Sequence, residues 1–134
     1  MRSLKIPIFI SFLFIILASL AWAEGLLNGA QKEFFDDGNL KAEKTYVSGR
    51  LNGPFREYYP DGKLLSVGIY KDDKLKGEYK SYYENGNLFI EKIYVNGLQQ
   101  GTSKEYYPDG MLKSEETFQD DILNGLAKYF TESG

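Results

Sequence analysis

Past residue 24, short runs of alternating apolar and polar positions recur along the chain every 24 residues. The clearest copy is Gly53-Pro54-Phe55-Arg56-Glu57-Tyr58-Tyr59-Pro60-Asp61-Gly62-Lys63-Leu64, continuing through Ile69-Tyr70 to Lys74-Leu75-Lys76. It returns at Gly77 to Gln100 and at Gly101 to Asn124, more loosely at Gly29 to Asn52, and starts again at Gly125. The leading glycines Gly29, Gly53, Gly77, Gly101 and Gly125 are spaced by 24 residues with no insertion. A fixed period of this size marks a stacked array in which each unit packs on its neighbours.

Each unit reads as two strands and two turns. The first strand ends in paired rings: Phe34-Phe35, Tyr58-Tyr59, Tyr82-Tyr83 and Tyr106-Tyr107. A turn follows at Asp36-Asp37-Gly38, Pro60-Asp61-Gly62, Glu84-Asn85-Gly86 and Pro108-Asp109-Gly110. Proline pre-sets the first central position of such a turn, Asp or Asn favours its geometry, and Gly38, Gly62, Gly86 and Gly110 supply the positive φ. A leucine (Leu40, Leu64, Leu88, Leu112) then opens a second strand that ends near Tyr46, Tyr70, Tyr94 or Phe118. Ser48-Gly49, Asp72-Asp73, Asn96-Gly97 and Asp120-Asp121 turn the chain back, Asn96-Gly97 being the strongest hairpin signal. The pattern predicts an all-β chain, an elongated single-layer antiparallel meander of about nine strands built from 24-residue β-hairpin repeats. The repeats run 29–52, 53–76, 77–100 and 101–124, with a partial unit at 125–134.

An even period returns equivalent side chains to the same face, which two-residue loops at both turns satisfy. If the Pro-Asp-Gly turn is a three-residue loop, one compensating bulge per repeat is required, because a slip of one residue moves every side chain across the sheet. Gly29, Gly53, Gly77, Gly101 and Gly125 are the expected bulge sites. One ring of each pair must lie opposite the other, and the sequence leaves open which of them shares the face of Leu64 and Tyr70.

The N-terminus has a different character. Arg2 and Lys5 precede the apolar run Ile6 to Leu20, and Ala21-Trp22-Ala23 gives a small-x-small cleavage pattern before Glu24. Residues 1–23 are therefore expected to be a helical signal peptide, cut between Ala23 and Glu24, with an uncleaved membrane anchor as the alternative. The chain is then exported, to the periplasm or beyond, with no integral span after cleavage. Losing Arg2 and Lys5 takes the net charge from −3 to about −5. That balance offers no basic footprint for nucleic acid and repels anionic head groups. The sequence has no Cys and no His, which excludes disulfides, thiol nucleophiles, histidine triads and ordinary transition-metal sites.

The run Glu57-Tyr58-Tyr59-Pro60-Asp61-Gly62-Lys63-Leu64 with Tyr70 and Gly77, repeated as Glu105-Tyr106-Tyr107-Pro108-Asp109-Gly110-Met111-Leu112 with Phe118 and Gly125, resembles the bacterial variant of the MORN repeat. Chains of this kind are grouped with the YwqK-like family, described as antitoxin components. The resemblance covers residues 25–134 and implies a scaffold whose activity lies in variable surface positions.

Two aromatic columns stand out as binding surfaces or as sheet core. Phe35, Tyr59, Tyr83 and Tyr107 form the column expected to meet a partner, since rows of tyrosine bring apolar area and a hydroxyl handle. Phe34, Tyr58, Tyr82, Tyr106 and Phe130 form the other. The acidic pairs Asp36-Asp37, Asp72-Asp73 and Asp120-Asp121 are expected to serve turns rather than calcium, which needs about six to eight converging oxygens. Glu115 and Glu116 are consecutive on a strand and point to opposite faces, the wrong arrangement for paired catalytic carboxylates. The expected function is that of an exported, non-enzymatic scaffold without metal or cofactor that binds another protein, with an antitoxin-like or immunity-like role as the leading specific reading and a toxin as one candidate partner. The alternatives are an envelope scaffold that self-associates edge to edge and a lectin-like module that stacks Tyr on sugar rings.

Overall fold

The computed structural model describes residues 27–132. Its strands are β1 (Gly29–Phe34), β2 (Leu40–Val47), β3 (Arg50–Tyr58), β4 (Leu64–Lys71), β5 (Lys74–Leu75), β6 (Gly77–Tyr82), β7 (Leu88–Val95), β8 (Leu98–Tyr106), β9 (Leu112–Gln119) and β10 (Ile122–Tyr129). They form one open sheet in the order β1-β2-β3-β4-β6-β7-β8-β9-β10, with the two-residue β5 also on β4. Every pairing is antiparallel. Only Lys76 separates β5 from β6, so the meander of two strands per repeat is the one the period predicts. The described residues are all-β, and each second strand opens at its leucine. The signal-peptide expectation, with Ala23 and Glu24, falls outside the described residues.

The two kinds of turn differ in size. Ser48-Gly49, Asp72-Asp73, Asn96-Gly97 and Asp120-Asp121 are two-residue loops with positive φ at both central positions. That is the primed turn whose twist matches the flanking strands, and Asp and Asn tolerate it better than other side chains. The Pro60-Asp61-Gly62 turn is a three-residue loop. Tyr59 N–H donates to the Lys63 carbonyl at 2.8 Å, Gly62 N–H donates to the Tyr59 carbonyl at 2.9 Å, and Gly62 takes φ 85°. The same bonds recur at Phe35, Tyr83 and Tyr107.

The compensating bulge does not sit where the sequence suggested. Glu57 pairs with Ser66 and Tyr58 with Leu64, which leaves Leu65 unopposed. Lys41, Phe89 and Lys113 are left over in the same way. The expected glycines mark a second irregularity instead. Between the pairs Lys44–Phe55 and Tyr46–Leu51, the single residue Thr45 faces Asn52, Gly53 and Pro54. Gly101 and Gly125 lie in equivalent steps on β8 and β10. Two extra residues leave the parity unaltered, so this step cannot do the compensating; the odd residue after the three-residue loop does. Gly53 is required there for a separate reason: at φ 136°, a Cβ would stand 2.8 Å from Thr45 Cβ.

The odd residue also settles the faces. Directly opposed residues share a face, so Leu64 goes with Tyr58, while Tyr70 lies beyond the bulge on the other side. Placing Leu64 and Tyr70 together, as their even spacing implied, is therefore corrected. On the face of Tyr70 the sheet is packed. Ala42, Phe55, Ser66, Ser81, Gln99, Ser103 and Ser114 all lie there, none more than 7% exposed. Phe55 meets Tyr70 at 4.9 Å between ring centroids and Tyr79 at 6.4 Å, and Tyr79 meets Tyr94 at 6.2 Å. Gly68 lies opposite Phe55 and leaves room for its ring, since a Cβ there would come within 2.8 Å of Phe55 Cε1. Burying a ring of this size contributes about 1.5–3 kcal/mol.

Candidate functional site

Phe35, Tyr59, Tyr83 and Tyr107 lie on this packed face, each at the lip of a three-residue loop. Their main chains are held by the loop bonds already described, and the tyrosines are held at the far end too. Tyr59 Oη donates to the Tyr82 carbonyl at 2.7 Å, Tyr83 Oη to the Tyr106 carbonyl at 2.8 Å, and Tyr107 Oη to the Phe130 carbonyl at 2.8 Å. Each hydroxyl therefore reaches into the next repeat, 23 residues on. The rings stay half-exposed with their orientation fixed. Burial, followed by the Glu105 charge, raises the pKa of the Tyr83 hydroxyl, so it stays protonated and donating. Phe35 has no hydroxyl and makes no such staple.

The residue left over by each bulge is the one that meets its ring. Lys41 Nζ stands 5.8 Å from the Phe35 centroid, and Lys113 Nζ 5.9 Å from that of Tyr107. Phe89 packs on Tyr83 at 4.9 Å. Leu65, together with Phe35, Ala42 and Tyr59, lines a cavity of about 350 Å³ between the first two rings. Lys44 and Glu57 close its other side, and Lys44 lies 3.5 Å from Glu33 and 3.6 Å from Glu57. Burial lowers the Lys44 pKa, but the two carboxylates outweigh it and the net shift is upward. Lys41, Leu65, Phe89 and Lys113 were not singled out in the sequence. The signal was present, because a three-residue loop inside an even period demands one odd residue per unit.

The other aromatic column lies on the opposite face. Tyr58 Oη donates to Glu43 at 3.5 Å and Tyr106 Oη to Glu91 at 2.9 Å. Burial, then the bond to Glu91, pushes the Tyr106 pKa up to about 12. Phe34, at the start of this column, is 58% exposed. The leading glycines Gly29, Gly53, Gly77 and Gly101 pair with Tyr46, Tyr70, Tyr94 and Phe118 respectively.

The acidic turns have structural partners. Asp73 Oδ1 accepts the Leu51 N–H at 2.8 Å, and Asp73 N–H donates to the Leu51 carbonyl at 2.9 Å. Asp121 does the same with Gln99 at 2.7 and 3.1 Å. Where the turn ends in glycine the main-chain bond is kept, from Gly49 to Leu27 and from Gly97 to Leu75, and the Ser48 N–H also donates to Asn28 Oδ1 at 2.8 Å. Glu115 bonds Lys128 while Glu116 accepts from Tyr129 Oη, on opposite faces of β9. Among the described residues no three His, Cys, Asp or Glu side chains converge as metal ligands would. The row thus joins half-exposed rings, an aliphatic floor and hydroxyls committed to main-chain carbonyls.

No curated protein sequence gives a significant match. The family model described as MORN repeat variant matches four times in succession, at residues 27–48, 51–72, 75–96 and 99–120. These matches cover about two thirds of the sequence and coincide with the hairpins that carry the rings, so the chain belongs to the MORN repeat variant family.

Proposed function

We propose that this protein is an exported, non-enzymatic scaffold that binds another protein along the row Phe35, Tyr59, Tyr83 and Tyr107, in the manner of an antitoxin or immunity partner. The observation that carries the reading is the fixed orientation of the rings. Association costs the freedom of every side chain it immobilises, about 0.5–1.5 kcal/mol for a flexible one, and a surface already held in place avoids that cost. The cavity between Phe35 and Tyr59 gives the row a recess for one anchoring side chain, the usual form of a protein-binding centre. The signal-like N-terminus supports export, and the absence of His and Cys removes the commonest catalytic groups. The antitoxin role rests on the family resemblance together with these features, and export restricts its target to a protein met outside the cytoplasm.

Leu65→Lys is the decisive variant. Lysine occupies the equivalent position in two other repeats, as Lys41 and Lys113, so the fold accepts it, while the recess beneath Phe35 and Tyr59 is filled. The wild-type chain is expected to retain a stoichiometric protein partner from an envelope extract on size exclusion, and the variant to lose it with an unchanged circular-dichroism spectrum. Equal retention by both chains, or binding to glycans alone, would sink the proposal.

A further inference from the structure

The face opposite the rings carries a row of charges that crosses the sheet. First strands contribute Lys32, Arg56, Lys80, Lys104 and Lys128, and second strands contribute Glu43, Glu91 and Glu115. Register pairs each acid with the bases on both sides. Ion pairs form at 3.1 Å for Lys32–Glu43, 3.9 Å for Lys104–Glu91 and 3.0 Å for Lys128–Glu115. The fourth acidic place is taken by Val67, which pairs with Arg56 on one side and Lys80 on the other. Glu43, across from Arg56, is occupied by Lys32 and the Tyr58 hydroxyl. Arg56 is exposed and has no ion pair among the described residues. Among the described residues Lys80 makes its one ion pair with Glu78 at 3.2 Å, whose side chain is 74% exposed, and it feels the charge of Glu91 across the strand.

The gap has an apolar floor. Val67 lies in a shallow cavity of about 220 Å³ with Pro54 and Ile69, bordered by Glu78 and Lys80, and Ile69 is 49% exposed. Arg56 and Lys80 flank it two strand spacings apart, roughly 10 Å.

We propose that this gap is a second interaction surface, which accepts a protein partner presenting a carboxylate side chain next to apolar ones. The carboxylate takes the place that Glu43, Glu91 and Glu115 fill elsewhere, between Arg56 and Lys80, and the apolar neighbours cover Val67 and Ile69. Arg56 supplies the planar fork that suits a carboxylate. The surface lies on the face away from the ring row, so the proposal does not depend on the function proposed for that row.

The test uses two acetylated and amidated pentapeptides, one with a central glutamate between leucines and the other with glutamine in its place. Each is titrated into the full chain at low salt while backbone amide shifts are followed. The glutamate peptide is expected to bind at least tenfold more tightly, moving the amides of Arg56, Val67, Ile69 and Lys80, and to weaken as salt is added. Val67→Glu completes the charge row, as its counterparts do in three other repeats, and is expected to abolish binding while raising the thermal midpoint. Arg56→Gln is expected to lower affinity about tenfold, and Leu65→Lys on the other face to leave it unchanged. Equal affinity for the two peptides, no binding by either, unchanged binding by Val67→Glu, or preference for phosphatidylglycerol vesicles over the glutamate peptide would each overturn the proposal.

Discussion

The two faces of this sheet are stabilised by different means. The packed face gathers its ring contacts in the middle of the array, around Phe55, Tyr70, Tyr79 and Tyr94, while small buried residues run along it from Ala42 through Ser66 and Ser81 to Ser114. The charged face spreads nine positions evenly over the strands and buries none of them deeply. Apolar contact rewards concentration, because a ring contributes fully only when surrounded. Ion pairs at a wet surface are each worth about 0–1 kcal/mol and lose little by being dispersed. Substitutions should therefore be costly on one face and mild on the other.

Phe55→Ala should break the contrast most severely, costing on the order of 3 kcal/mol or more through lost burial and the cavity left above Gly68. Urea denaturation should show a large fall in midpoint, and a loss under about 1 kcal/mol would mean that no packed centre exists. A smaller effect is expected from the staples. Tyr83→Phe removes the bond to the Tyr106 carbonyl and should cost about 1 kcal/mol. The reverse change, Phe35→Tyr, is expected to return up to about 1 kcal/mol by adding the one staple the array lacks.

Alkaline pH probes the other face through Tyr106. Its hydroxyl titrates near 10 in an unfolded chain and at about 12 in the fold. The folded state thus keeps the proton through that window, and the associated stability, complete below about pH 10, is lost as pH rises toward 12. Denaturation curves from pH 8 to 12 should fall less steeply for Tyr106→Phe, and identical slopes would remove Tyr106 from the account. The smallest effect belongs to Lys104→Ala, expected within about 0.5 kcal/mol because its carboxylate partner lies 3.9 Å away at a solvated surface.

What the sequence made legible follows from the same division. Strands, turn residues and order were readable because they repeat: Leu40, Leu64, Leu88 and Leu112 each open a strand, and Asn96-Gly97 turns as its chemistry requires. The faces were not, because they hinge on the size of one loop, and Pro-Asp-Gly suits two- and three-residue turns alike. The packed centre was hidden for another reason. The places equivalent to Phe55 hold Gln31, Tyr79 and Ser103, and those equivalent to Gly68 hold Lys44, Lys92 and Glu116. The ring cluster thus sits where the copies differ, and averaging the copies erases it. The ring row was visible from the start, but the carbonyl partners of its hydroxyls lie a whole repeat away and follow only from the register.

The hydroxyl staples join each unit to the one after it and never bridge further. An array tied in this way should open like a row of latches, one hairpin at a time, without melting all at once. Pulled from its ends, it would lengthen in steps of 24 residues, each releasing the strand pairing between two units and, past the first unit, a tyrosine from its carbonyl.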